Sequence, residues 1–167
     1  VHLYTGNGKG KTTAAFGLAL RALGAGLKVS VIQFLKDRPS SEVLSMERWG
    51  DSISIELFGR KRKIKTPFTE DDVKAASSGF DRAREIMKTS GCDLLILDEI
   101  NCAVHYNLLD LDEVIEAIRK KPNGLELVLT GRYAPEELYG YADLITEMIA
   151  VKHYREQGVP FRKGIEL

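Results

Sequence analysis

The octapeptide Thr5–Thr12, TGNGKGKT, is the strongest constraint on what this chain can fold into. It lies between a short strand-type run, Val1–Thr5 (VHLYT), and an Ala/Leu-rich helical stretch, KTTAAFGLALRAL, from Lys11 to Leu23. A strand that breaks into a glycine loop and re-enters as a helix is the frame of a phosphate-binding loop. Gly6, Gly8 and Gly10 let successive backbone N–H groups turn inward toward phosphate oxygens, and the start of the helix adds its positive end. Lys11 brings a full charge on a mobile stem, and the Thr12 hydroxyl is placed to ligate Mg²⁺. The usual G-x-x-x-x-G-K-[ST] pattern is met except at its first position, where Thr5 stands in place of Gly. Asn7 and Lys9 are further polar groups on the loop, able to reach a nucleotide. The candidate nucleotide-binding set is therefore Gly6, Asn7, Gly8, Lys9, Gly10, Lys11, Thr12 and Thr13, with Lys11 as a candidate catalytic group. The bland alternative is a glycine-rich turn that happens to precede Lys-Thr. The motif speaks for a triphosphate and is silent on what is done with it.

The rest of the chain fits the same frame. Gly24 and Gly26 stop the first helix, and Lys28–Leu35 (KVSVIQFL) is a β-branched strand. A short helix is expected over Ser40–Trp49, then a strand over Ser52–Phe58 with alternating polarity. Thr69 followed by acids reads as the cap of a helix running to Lys88. Asp93–Leu97 (DLLIL) is continuously apolar, the mark of a strand buried on both faces. A helical stretch follows through Leu109, and Asp110 caps another with Leu111, Val114, Ile115 and Ile118 at helical spacing. Leu125–Thr130 is the next strand, Pro135–Tyr141 a short helix, and Leu144–Val151 a last strand or extended segment. Strands alternating with helices predict an α/β fold: three layers, a mostly parallel sheet of about six strands with helices on both faces, a P-loop NTPase of the RecA-like kind. With 167 residues, 1–167 is expected to form one domain. Because Val1 is not Met and already lies in a strand, an N-terminal segment before it is expected to be missing.

Composition removes several function classes. Lys+Arg and Asp+Glu are both 24, so the net charge is zero, which argues against a general binder of nucleic acid or of anionic membranes. Two cysteines, Cys92 and Cys102, suit buried thiols in a reducing compartment better than a disulfide framework or a zinc site. No apolar run approaches the roughly 18 residues of a membrane span, and no signal peptide precedes the first strand, so a cytoplasmic location is expected.

The second candidate feature is Leu94–Glu99, LLILDE. A carboxylate at the carboxyl end of a buried parallel strand faces the crevice into which the phosphate loop points. Asp98 or Glu99 would hold Mg²⁺ directly or through water, with Thr12 as the other protein ligand. Capping of the following helix is the alternative use of these acids, and the sequence leaves open which of the two is closer to the metal.

The wider text resembles one family. GNGKGKTTAAFG (Gly6–Gly17), VIQFLK (Val31–Lys36), LDEIN (Leu97–Asn101), LTGR (Leu129–Arg132), PEEL with ADLITEM (Pro135–Met148), VKH (Val151–His153) and KGIEL (Lys163–Leu167) are similar, in order, to the P-loop type of corrinoid adenosyltransferase. The resemblance implies transfer of the 5′-deoxyadenosyl group of ATP to a Co(I) corrinoid, with release of inorganic triphosphate. The cobalt nucleophile would attack the ribose C5′, and the triphosphate would lie in the loop in the reverse sense to that of ordinary P-loop kinases. It further implies ATP and Mg²⁺ at the loop, a corrinoid as second substrate, a homodimer, and a reductase partner as a source of Co(I).

Arg132 matches the LTGR arginine and would face the triphosphate as a second catalytic group, with a surface salt bridge as its equal alternative. Glu147 is similar to a family acid and could contact ligand or pair with a basic neighbour. Lys152 and His153 match the VKH segment, with a solvated strand end as the alternative and as the plainer reading for His153. Several family members carry a Phe-x-Trp pair beside the corrinoid, but here the region reads FGRKRKIKTPFTEDD. Phe58 and Phe68 are then the candidates for the corrinoid side, and Trp49 is expected to pack its helix on the sheet. His105 and Cys102 are expected to serve packing rather than cobalt ligation. The five charges within Arg60–Lys65 read as a solvated loop or as a flap over a bulky substrate. A generic P-loop ATPase or small-molecule kinase, and an ATP-dependent corrinoid carrier, are the competing functions.

Overall fold

Along the strand Leu94–Asp98, neighbouring side chains enter different cores. Leu95 and Leu97 pack with one set of helices, Leu94 and Ile96 with another, and all four are 3% exposed or less. A continuous apolar run is what this requires, since each face of the sheet is covered. The computed structural model describes residues 1–61, 66–89 and 91–166.

Six strands form the sheet: β1 (His2–Thr5), β2 (Val29–Phe34), β3 (Ile53–Phe58), β4 (Leu94–Asp98), β5 (Glu126–Thr130) and β6 (Leu144–Glu147). Their spatial order is β3-β2-β4-β5-β1-β6, and every pairing is parallel. This is the three-layer α/β arrangement of P-loop NTPases. The strand carrying the phosphate loop and the strand carrying the acids are not neighbours, because β5 lies between them.

One face is covered by α1 (Lys11–Gly24) and α2 (Ser41–Met46), through Ala15, Phe16, Ala19, Ala22, Leu23, Val43 and Met46. The other is covered by α3 (Glu70–Thr89), α4 (Ile100–His105) and α5 (Leu111–Lys120). Phe80, Ile86, Val114 and Ile118 supply much of that second core. Burying each such side chain contributes roughly 1.5–3 kcal/mol. Caps match their sequence signals. The Asp110 carboxylate accepts from the Glu113 N–H at 3.1 Å, and Asp72 accepts from both the N–H and hydroxyl of Thr69 at 2.8 Å.

Several boundaries differ from expectation. The helix expected over Ser40–Trp49 ends at Met46 and continues as 3₁₀ turns to Ser52, with Gly50 at φ 51° breaking it. Trp49 still packs against the α1 side of the core. The helix after the acids stops at His105 rather than Leu109, because Asn107 is left-handed at φ 55°. The short helix expected over Pro135–Tyr141 is a 3₁₀ helix over Glu136–Tyr141, and within Leu144–Val151, expected as strand or extended segment, the strand covers Leu144–Glu147. In the basic segment Arg60–Lys65, Arg60 pairs with Asp71 and Lys61 is exposed, while positions 62–65 lie outside the described residues. Among the described residues no helix is long and apolar enough to cross a membrane.

Candidate active site

All six strands run the same way, so their carboxyl ends share one edge, and the residues leaving that edge are conformationally unusual. Leu35 directly after β2, Glu99 directly after β4 and Tyr133 shortly after β5 all have φ near 60° without being glycine. Each costs of order 1–3 kcal/mol, a pattern associated with functional edges. Gly6 (φ 94°) and Gly10 (φ 120°) bracket the phosphate loop on the same edge.

The loop is held from two directions. Lys11 begins α1, is buried, and its ammonium donates to the carbonyls of Gly6 and Gly8 at 2.7 Å each. Burial pushes its pKa below the usual lysine value; Glu99 opposes that shift and Arg132 adds to it. The loop therefore presents a partly desolvated cation, with Glu99, Arg132 and Asp98 within electrostatic reach. From the other side, the chain leaving β6 crosses the loop. The Met148 N–H donates to the Thr5 carbonyl at 2.9 Å, and the Met148 carbonyl accepts from the Gly8 N–H at 2.6 Å. A Cβ on Gly6 or Gly8 would stand 2.4 or 2.6 Å from that carbonyl oxygen, so neither position has room for a side chain.

Asp98 joins the loop to the sheet. It is fully buried, and its Oδ1 accepts from the Thr12 hydroxyl at 2.8 Å and the Thr130 hydroxyl at 2.7 Å. Its Oδ2 accepts from Gln33 Nε2 at 2.9 Å and lies 3.2 Å from the Lys36 ammonium. Glu99 sits differently: it is half-buried, and its backbone N–H donates to Thr130 Oγ1 at 3.0 Å. Of the two acids, Asp98 is the one whose carboxylate meets Thr12.

The remaining expected residues divide. Asn7 and Lys9 turn to the segment after β6: Asn7 Oδ1 accepts from the Ala150 N–H at 3.1 Å, and Lys9 donates to Tyr154, Ile165 and Glu166. Thr13 and Arg132 are exposed at the crevice. Phe58 is half-buried against the α3 core, its ring filling the space a Cβ at Gly79 would need. Phe68 packs on the same core and lies 4.9 Å from the Tyr106 ring. His105 stacks on Tyr133 at 4.3 Å, a packing role. Cys92 and Cys102 are free, buried thiols, and burial foremost pushes both upward, so neither is poised as a nucleophile. His153 is not a solvated strand end, since its Nδ1 accepts from the Arg155 N–H at 3.2 Å and caps a 3₁₀ turn.

Gln33, Lys36 and Thr130 were not singled out from the sequence. Gln33 carried a signal, a lone amide within the buried run VSVIQF; Thr130 closes an apolar strand just as Asp98 does. A cavity of about 720 Å³ between α3 and α4–α5 includes Phe80, His105 and Tyr133 but no residue of the phosphate loop.

The parallel sheet and the helices around it define a three-layer α/β fold of the P-loop NTPase kind. The family model described as ATP:corrinoid adenosyltransferase BtuR/CobO/CobP matches residues 1–167. The chain belongs to this family of transferases. It is 35% identical over 165 residues to a corrinoid adenosyltransferase of Pseudomonas aeruginosa, covering 98% of this chain and 81% of that protein. It is 36% identical over 165 residues to the corrinoid adenosyltransferase of Escherichia coli K12, covering 98% and 83%. To the corrinoid adenosyltransferase CobA of Salmonella typhimurium it is 34% identical over 165 residues, again covering 98% and 83%.

Proposed function

We propose that this enzyme moves the 5′-deoxyadenosyl group of ATP onto the cobalt of a Co(I) corrinoid. A Co–C5′ bond forms, the C5′–O bond breaks, and inorganic triphosphate carries away the electron pair. One observation carries the reading: a chain matching the corrinoid adenosyltransferase family along its whole length groups Lys11, Thr12 and Asp98 at one point under the loop.

In this mechanism the loop's N–H groups and Lys11 stabilise the negative charge that grows on the leaving triphosphate. Lys11 exchanges its two loop carbonyls for phosphate oxygens when ATP enters. Arg132, exposed beside the crevice, adds a second cation at that end. No general base is needed, because the nucleophile carries no proton. What remains is positioning, holding C5′ in line with cobalt.

The Thr12 hydroxyl, the Asp98 carboxylate and the buried Gln33 Oε1, which lacks a partner, are all hard oxygen donors, a set that suits Mg²⁺. Thr12 and Asp98 would hold Mg²⁺, and it would supply charge neutralisation to the triphosphate.

The corrinoid side is assigned to Phe68 and the tyrosine rings beside it, Tyr106 and Tyr133, with His105 packed behind Tyr133 as its support. Flat aromatic surface suits a macrocycle, and Tyr133 is 50% exposed. Phe58 belongs to the core by its packing. A homodimer is supported by the β6 edge, where Leu144 and Ile145 are both over 40% exposed. The free thiols suit a cytoplasmic enzyme fed with Co(I) by a separate reductase.

The test is product analysis with ATP, Mg²⁺ and chemically reduced corrinoid. A light-sensitive Co–C absorbance and stoichiometric triphosphate by phosphorus NMR are expected. ADP and phosphate without a Co–C bond would instead identify an ATPase.

A further inference from the structure

Lys9 is drawn as a phosphate ligand by its place in the motif, yet its ammonium is fully engaged elsewhere. Its three acceptors are the Tyr154 hydroxyl at 3.0 Å, the Ile165 carbonyl at 2.7 Å and Glu166 Oε1 at 3.3 Å. An ammonium has three donors, so none is left over. The carboxylate that holds it is itself well held. Glu166 accepts from the Tyr154 hydroxyl, from the Arg162 N–H at 2.8 Å and from the Arg162 guanidinium at 2.9 Å, and its side chain is only 7% exposed. The guanidinium also lies over the Tyr154 ring, 5.0 Å from its centre.

This cluster continues a series. Asn7 and Gly8 bond to Ala150 and Met148, so three consecutive loop residues are each tied to the chain that follows β6. An isolated exposed ion pair does little. A carboxylate with several charge-assisted partners, largely covered from water, is a firmer anchor. Its two cations and the tyrosine hold Glu166 well below the usual carboxylate range, so the anchor stays charged at neutral pH.

We propose that Glu166 is a positioning residue of the nucleotide site. Through Lys9 and Tyr154 it fixes the first half of the phosphate loop against the segment after β6, leaving the N–H groups of the second half preset for the triphosphate. The proposal rests on the assignment of ATP to this loop. Its physical basis is preorganisation: a loop already fixed loses less conformational freedom when the ligand arrives. Glu166 acts on binding, and the chemical step is left to Lys11 and Thr12.

The experiment is calorimetric titration of the full chain with Mg²⁺–ATP without corrinoid, alongside steady-state kinetics. Glu166→Gln is expected to raise the ATP Kd and KM roughly five- to twentyfold while kcat at saturating ATP stays within about twofold. Because Glu166 acts through Lys9, the double variant Lys9→Met/Glu166→Gln should bind no more weakly than the weaker single variant. Tyr154→Phe, which removes one hydroxyl, should show the same split at about two- to fourfold and serves if Glu166→Gln does not fold.

An unchanged Kd in Glu166→Gln or Tyr154→Phe overturns the proposal. So does full additivity with Lys9→Met, which would place Lys9 on the phosphates. A native protein that binds no Mg²⁺–ATP overturns the nucleotide site and this proposal together. Native binding that is lost in Lys11→Ala but unchanged in Glu166→Gln removes the positioning role alone.

Discussion

The two halves of the phosphate loop are secured by different parts of the molecule. Residues 10–13 open α1 and are anchored inward, where the Thr12 hydroxyl meets a fully buried Asp98. Residues 6–9 are anchored outward, by backbone and side-chain bonds to Met148, Ala150, Tyr154 and Glu166. The inward half has the chemistry of charge: a buried lysine, a hydroxyl and a carboxylate. The outward half has the chemistry of shape: glycines with no room for a Cβ and a carbonyl seated on an N–H. Defects in the first should therefore appear in turnover, and defects in the second in ATP affinity.

Lys11→Ala is the severest way to probe the inward half. A loss of about three orders of magnitude in kcat/KM is expected, since the leaving triphosphate loses its nearest full charge. A near-native rate in the adenosylation assay would break the division between the halves. Asp98→Asn should cost roughly a hundredfold in kcat and raise the Mg²⁺ concentration needed for half-maximal rate. Unaltered metal dependence would remove Asp98 from the metal.

Gly8→Ala addresses the outward half. Its Cβ would fall 2.6 Å from the Met148 carbonyl oxygen, so loop or strap must shift. Roughly a tenfold rise in the KM for ATP is expected, with kcat changed less, because misplacement weakens binding before it removes charge. A pure kcat defect would contradict the contrast. Phe68→Ala lies outside both halves. ATP affinity should be native, and the rate should fall by only about two- to fivefold, more for complete cobalamin than for corrinoids lacking a lower ligand. Equal effects on both corrinoids would mean that Phe68 does not act on the lower ligand.

The inward half was legible in the sequence because its signals are local. GKGKTT announces itself over a few residues, and LLILD marks its own strand by burial on both faces. Which acid meets Thr12 was not legible, because that depends on the register of β4 and on the left-handed turn at Glu99. The outward half was legible only as text. VKH and KGIEL were visible as segments, but nothing local places Glu166 beside Lys9, 157 residues away in sequence. The same blindness lengthened β6: Leu144–Val151 reads as one extended run, whereas the chain leaves the sheet after Glu147 to cross the loop.

That crossing has a consequence for how the protein is made. The loop emerges from the ribosome well before residues 148–166, but the bonds that secure Asn7, Gly8 and Lys9 join it to them. Contacts so far apart form late, after loop closure over most of the chain. The catalytic motif is thus written early and finished late.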